Sequence, residues 1–196
     1  MPDRLVEHVA GPRGLVLRRW QREDAAILSQ AIADSLEHLR PWMPWVAQEP
    51  IAMQERLEQI DRWEREWLAG GDNVMGVLLN GSVAGGCGLH RRIGPGGLEI
   101  GYWTHPSFLR QGIASTAAKL LTDAAFADPQ LTRVEIHHDK ANEASAGVPR
   151  KLGFQLVREV RDERQAPGEL GISCQWRLTR HEWDSPTAAR LRPRPS

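Results

Sequence analysis

The chain has 196 residues, with 25 basic and 25 acidic side chains and a formal net charge of 0. That length suits one domain whose core needs no metal or disulfide staple, and a neutral balance supplies no long-range field to draw in a nucleic acid. Cys87 and Cys174 stand in no zinc or dithiol spacing, residues 1–10 lack the apolar run of a secretory signal, and no long uncharged span exists for a bilayer, so the sequence reads as a soluble cytoplasmic protein with no metal and no membrane partner.

Gly14 to Trp20 alternates apolar and charged residues and predicts an opening strand with Leu15 and Leu17 inward; Gln21-Arg22-Glu23-Asp24 then starts a helix running to about Ser35. In Leu39-Arg40-Pro41-Trp42-Met43-Pro44-Trp45 the two prolines forbid a continuous helix, while the Trp and Met side chains are too large to leave idle in water. The stretch is therefore predicted to be an ordered apolar loop. From Ile51 to Leu68 the period is helical, with Ile60, Trp63 and Trp67 on one stripe, and Gly70-Gly71 closes it.

An antiparallel meander follows: Asn73 to Leu79, a turn at Asn80-Gly81, Val83 to Arg92, a turn at Gly94-Pro95-Gly96-Gly97, then Leu98 to Thr104. Beyond it the pattern predicts a helix from Ile113 to Ala127, a strand from Arg133 to His138, a helix from Glu143 to Leu152, and strands near Phe154 to Val160 and Ile172 to Leu178. From His181 to the end at Arg192-Pro193-Arg194-Pro195-Ser196 there is little to bury. One domain over 1–180 and a disordered tail over 181–196 are expected.

The most informative stretch is Leu109-Arg110-Gln111-Gly112-Ile113-Ala114-Ser115, between a strand end and a helix start. The first turn of a helix leaves N–H groups unpaired and pointing outward, and a glycine lets an anion approach the backbone, so a pyrophosphate fits such a cradle with Arg110 at its rim. A plainer alternative makes Gly112 a simple turn before an Ala-rich core helix. The loop lacks the Lys-Ser/Thr of a nucleotide-hydrolysing loop and the three glycines of a dinucleotide fold.

The run Glu99 to Ala114, followed by Arg133-Val134-Glu135-Ile136, Asn142, Ser145 and Lys151-Leu152-Gly153-Phe154, resembles the GNAT acetyltransferase superfamily over most of the chain. Leu39 to Trp45 taken with Gly101-Tyr102-Trp103-Thr104-His105-Pro106 resembles the branch that includes ribosomal-protein N-terminal acetyltransferases. The resemblance implies an α/β (α+β) fold: a mixed, mostly antiparallel central sheet with helices on both faces and strands splayed at the cofactor site. It also implies acetyl-CoA as co-substrate, with the pyrophosphate on Arg110, Gln111, Gly112, Ile113, Ala114 and Ser115. The pantetheine would lie along Tyr102, Trp103 and Thr104 and be bonded by Asn142. Leu109 stands where the family usually carries Arg or Gln, which removes one donor, and Pro149 interrupts the helix before Gly153.

Transfer from a thioester to an amine needs a neutral amine, a stabilised oxyanion and a proton for the departing thiolate. An α-amine costs only about 1 kcal/mol to deprotonate at pH 7, against about 4.6 kcal/mol for a lysine. Glu99, on the strand that resembles the family's cofactor strand, is the first candidate base, set against a role in neutralising an arginine; His138, by its intrinsic pKa, is the second, set against a structural role; Ser145 resembles the family's candidate acid, set against helix capping. Glu135 is expected to face a basic neighbour. Trp42 and Trp45 are the expected acceptor wall, with Trp63 and Trp67 assigned to helix packing. The acceptor is expected to be a protein N-terminus, with a small-molecule amine or a coenzyme-A-binding module without catalysis as alternatives, and a homodimer stays open.

Overall fold

The structure is a computed structural model that describes residues 5–185. Its spine is one sheet of eight strands: β1 (His8–Ala10), β2 (Leu15–Arg19), β3 (Asn73–Leu79), β4 (Ser82–His90), β5 (Gly97–Thr104), β6 (Arg133–Asp139), β7 (Gln155–Arg161) and β8 (Ile172–Thr179). Their order across the sheet is β1-β2-β3-β4-β5-β6-β8-β7. Every pairing is antiparallel except β5 with β6. The mixed, mostly antiparallel sheet implied by the resemblance is the one the chain forms.

Alternation along the strands divides the core into two layers. Leu17, Met75, Val77, Leu89, Leu98, Ile100, Val134 and Ile136 pack with α4 (Ile113–Ala127) and its neighbour α5 (Glu143–Leu152). In α4, Ile113, Ala117, Leu121 and Ala125 recur every four residues, so one narrow face is buried and its alanines let the helix sit close to the strands. Each fully buried leucine of this layer contributes about 2 kcal/mol. On the other face, Trp20 packs with α1 (Ala25–Ala33) and α3 (Met53–Leu68) through Leu28, Ile32 and Ile60. Arg56 of α3 is also buried, and it holds Glu49 of the preceding loop at 2.7 Å.

Several expectations are corrected. The helix expected from Gln21 begins as a short 3-10 turn at Arg22–Asp24, because the Asp24 carboxylate accepts from the Gln21 N–H and from Arg18, and α1 proper starts at Ala25. A further helical turn, α2 (Leu36–Leu39), precedes the Pro41 loop. The tail boundary at His181 is too early: Arg180–Asp184 forms α6, whose Trp183 is only 5% exposed. Thr179 caps this helix together with Glu182, and the Trp183 indole N–H donates to Asp123 at 3.2 Å. Arg180 ties the same corner by donating to the Phe126 carbonyl at 2.6 Å and the Leu131 carbonyl at 3.0 Å. The remainder of the expected tail, 186–196, lies outside the described residues.

Candidate active site

β5 and β6 pair over only three positions, Gly97 with Arg133, Leu98 with Val134 and Glu99 with Glu135. From Ile100 onward β5 has β4 on one side and no strand on the other, so the two central strands part and expose a main-chain edge. β5 then leads through the turn Pro106–Phe108 into the loop before α4. Arg110 and Gly112 both take left-handed backbone conformations, φ 61° and 79°, and this coils the chain so that successive amides face outward.

Among the described residues, no acceptor engages the N–H groups of Arg110 to Ser115, and the first inward bond runs from the Thr116 N–H to the Gly112 carbonyl at 2.9 Å. A Cβ at Gly112 would meet nothing within 4 Å, so the space over the cradle is open. The first turn of α4 carries no acidic residue, which leaves the positive end of its dipole free for an anion. Gln111 spends its side-chain amide on the Ser107 carbonyl at 3.0 Å, so its contribution to a ligand is its backbone N–H.

On the α4 and α5 face, Tyr102 projects toward α5. Its hydroxyl donates to the Ser145 carbonyl at 3.1 Å and stands 3.1 Å from the Ser145 hydroxyl. Pro149 explains the first contact. A helix would supply the Ser145 carbonyl with the N–H of residue 149, and proline has none; the tyrosine hydroxyl fills that place. Burial pushes the Tyr102 phenol up to about 12, so it stays protonated as a donor. Asn142 caps α5 by accepting the Ser145 N–H at 3.1 Å, which turns its side-chain oxygen inward to the helix.

On the opposite face, Trp42, Trp45 and Trp63 border a cavity of about 1260 Å³ that also reaches Tyr102, Asn142 and Ser145 across the parted strands. Trp45 and Trp103 hold their ring centroids 6.4 Å apart. The Trp103 side chain thus belongs to this face, packed over Gly86, and only its backbone lies on the exposed edge of β5. Trp67 is buried away from the cavity, its indole N–H on the Leu5 carbonyl at 2.7 Å.

Glu99 is gripped by Arg92 with bonds of 2.9 and 2.6 Å. This is the arginine-neutralising role weighed against catalysis. His137 stands between two carboxylates, 2.8 Å from Glu135 and 3.4 Å from Glu99. Glu135 also takes the expected basic neighbour, Arg177, at 2.8 Å. His138 points to the other face: the Trp176 indole N–H donates to its Nε2 at 2.9 Å, and its Nδ1 donates to the Asp139 carbonyl at 2.8 Å. Burial lowers its pKa, and with both ring nitrogens engaged it has no lone pair to offer an amine.

A family model described as "Acetyltransferase (GNAT) domain" matches residues 14–155. The chain belongs to the GNAT acetyltransferase family. A Bacillus subtilis (strain 168) protein named "Putative ribosomal N-acetyltransferase YdaF" is 28% identical over 176 residues, covering 87% of this chain and 93% of its own. Mycobacterium smegmatis RimJ, solved with a CoA-disulfide, superposes with a TM-score of 0.81 at 24% identity, covering 97% of this chain and 93% of its own. RimL, described as a "Ribosomal L7/L12 alpha-N-protein acetyltransferase" in complex with coenzyme A, gives 0.82 at 20% identity, covering 90% and 99%.

This GNAT chain is accordingly an acetyl-CoA-dependent acyltransferase, and the unsatisfied amides of its loop are donors of the kind a diphosphate requires. Among its described residues, no group of three or more His, Cys, Asp or Glu is placed to hold a metal ion, and no helix is long and apolar enough to cross a membrane. Two features of this site escaped the sequence reading. The Tyr102 to Ser145 link was signalled by Pro149, which orphans the carbonyl four residues before it. The room that Trp103 and His90 occupy over β4 was signalled by glycine at alternate positions 86 and 88.

Proposed function

We propose that this acyltransferase acetylates a free α-amine at a protein N-terminus. The observation that carries the reading is the cavity that joins the parted strands β5 and β6 to the tryptophan-lined face. The cradle at Arg110, Gln111, Gly112, Ile113, Ala114 and Ser115 takes the pyrophosphate of acetyl-CoA, and the edge of Tyr102, Trp103 and Thr104 with Asn142 guides the pantetheine toward Ser145. The thioester then meets an amine arriving from the opposite face, held between Trp42 and Trp45. Exposed Glu55, Glu58 and Glu163 on the cavity wall favour approach of a cationic terminus.

An α-amine is close to neutral at cellular pH, so positioning it against the thioester supplies much of the rate. The Ser145 hydroxyl stands where a leaving thiolate takes its proton, backed by Tyr102. The names borne by YdaF and RimL support a protein terminus over a small amine.

The test incubates the protein with acetyl-CoA and, separately, peptides with free or blocked α-amines, spermidine and an aminoglycoside, following thiol release and locating the acetyl group by mass spectrometry. Turnover confined to peptides with a free α-amine is expected. Turnover of the small amines alone replaces the acceptor assignment.

A further inference from the structure

The acceptor side needs a group with a free lone pair, and the three histidines bordering the cavity, His90, His137 and His138, differ in what they offer. His138 has both nitrogens engaged. His137 faces a carboxylate from each nitrogen, Glu135 at 2.8 Å and Glu99 at 3.4 Å, so neither nitrogen is open to an amine. His90 is different. It ends β4, and its Nδ1 meets the Asp72 carboxylate at 2.7 Å, while Asp72 also accepts the Arg91 N–H at 2.8 Å. Among the described residues Nε2 has no bonding partner.

The position of Nε2 follows from two glycines. Gly88 and Gly101 face each other across β4 and β5, one residue short of Tyr102. A Cβ at Gly88 would lie 2.9 Å from His90 Nε2, and one at Gly101 would lie 3.2 Å from the same atom. The ring nitrogen therefore overlies a side-chain-free floor beside the parted strands, where any other residue type would crowd it.

Given the amine acceptor of the preceding section, on which the assignment rests, we infer that His90 is the general base of the transfer and Asp72 its positioning residue. The Asp72 carboxylate takes the Nδ1–H, fixing the tautomer that leaves the Nε2 lone pair over the floor. The amine nitrogen forms a bond to the thioester carbonyl carbon, the carbonyl π pair moves to oxygen, and Nε2 removes the proton that the nitrogen can no longer keep. The tetrahedral adduct collapses with cleavage of the carbon–sulfur bond. The thiolate takes a proton from the Ser145 hydroxyl, which is replenished from solvent, and His90 returns its own to solvent. The products are the amide and coenzyme A thiol.

Other ionisable groups border His90 from β5, β6 and α3. Glu99, its cross-strand neighbour, pairs with Arg92; His137 and Glu135 pair beyond it on β6; Glu58 and Arg62 of α3 line the far wall.

His90→Gln and Asp72→Asn test the assignment against wild type in thiol-release assays on a free-α-amine peptide. For His90→Gln, kcat falls about 100-fold or more, while acetyl-CoA affinity, read by calorimetry, stays within about twofold of wild type. The residual rate of this variant climbs with pH past the α-amine pKa of about 7.8, whereas the wild-type rate levels off. A merely structural histidine would not reshape the profile. Nitrogen NMR of the wild-type protein supplies a readout independent of turnover: His90 carries its proton on Nδ1, and Asp72→Asn shifts population to the Nε2–H form. Turnover of His90→Gln within about twofold of wild type, or an Nε2–H tautomer in the wild type, overturns the assignment. Absence of wild-type turnover on every amine, with the Nδ1–H tautomer present, instead removes the acceptor reading.

Discussion

Tyr102→Phe isolates the device that Pro149 builds into α5. The ring stays, and the hydroxyl that fills the Ser145 carbonyl at 3.1 Å is lost. A partly buried acceptor left without its donor costs about 1–3 kcal/mol. In a chain of 196 residues that lowers Tm by roughly 2–12 °C, at about 2–4 °C per kcal/mol. Pro149→Ala returns an N–H to the helix at the position that bonds the same carbonyl, so in that background Tyr102→Phe leaves nothing orphaned. Urea unfolding of wild type, both single variants and the double variant closes the cycle. A coupling energy of about 1 kcal/mol, with the double variant more stable than Tyr102→Phe, is expected. Additivity within about 0.5 kcal/mol would refute the link between the proline and the tyrosine.

Truncation after Arg180 removes Trp183 and Glu182, the capping partner of Thr179; a destabilisation of about 3–5 kcal/mol, matching loss of a buried Trp, is expected in denaturant unfolding. Gly112→Val forces a β-branched residue into the left-handed region at φ 79°, at about 1–2 kcal/mol, and it places methyl groups over the cradle. Calorimetry should show acetyl-CoA affinity reduced at least tenfold, with circular dichroism unchanged. The His138 pKa is lowered by burial, so as pH falls through the ordinary histidine value of about 6.5 the unfolded chain takes up its proton first and stability declines, levelling once the folded value is passed. Thermal melts between about pH 7.5 and 5.5 should therefore fall more steeply for wild type than for His138→Asn; equal slopes would place the acid sensitivity elsewhere.

Most of the fold was legible because its elements carry strong periods. The stripe of α4 and the meander of β3, β4 and β5 fell within a residue or two of their predicted bounds. β1 and α6 were not, for opposite reasons: three residues of strand carry no period, and α6 is short enough that only tertiary contacts of Trp183 and Arg180 hold it. At the site, the outward-facing amides before α4 were readable because the signal is local: a glycine between a strand and a helix.

The catalytic candidates were not local. Strand position and intrinsic acidity single out Glu99 and His138, whereas their pairing with Arg92 and Trp176 depends on residues brought together by the fold. His90 gave no sign beyond glycine alternation, because its partner Asp72 lies on another strand's approach.

The central claim is that the main chain from Arg110 to Ser115 grips the diphosphate of acetyl-CoA. Amide chemical shifts followed while acetyl-CoA is titrated test it most directly. Large changes at the six N–H resonances of that segment, reproduced by coenzyme A and absent with a pantetheine thioester lacking phosphate, are expected. Saturable binding that leaves those resonances unmoved would contradict the account.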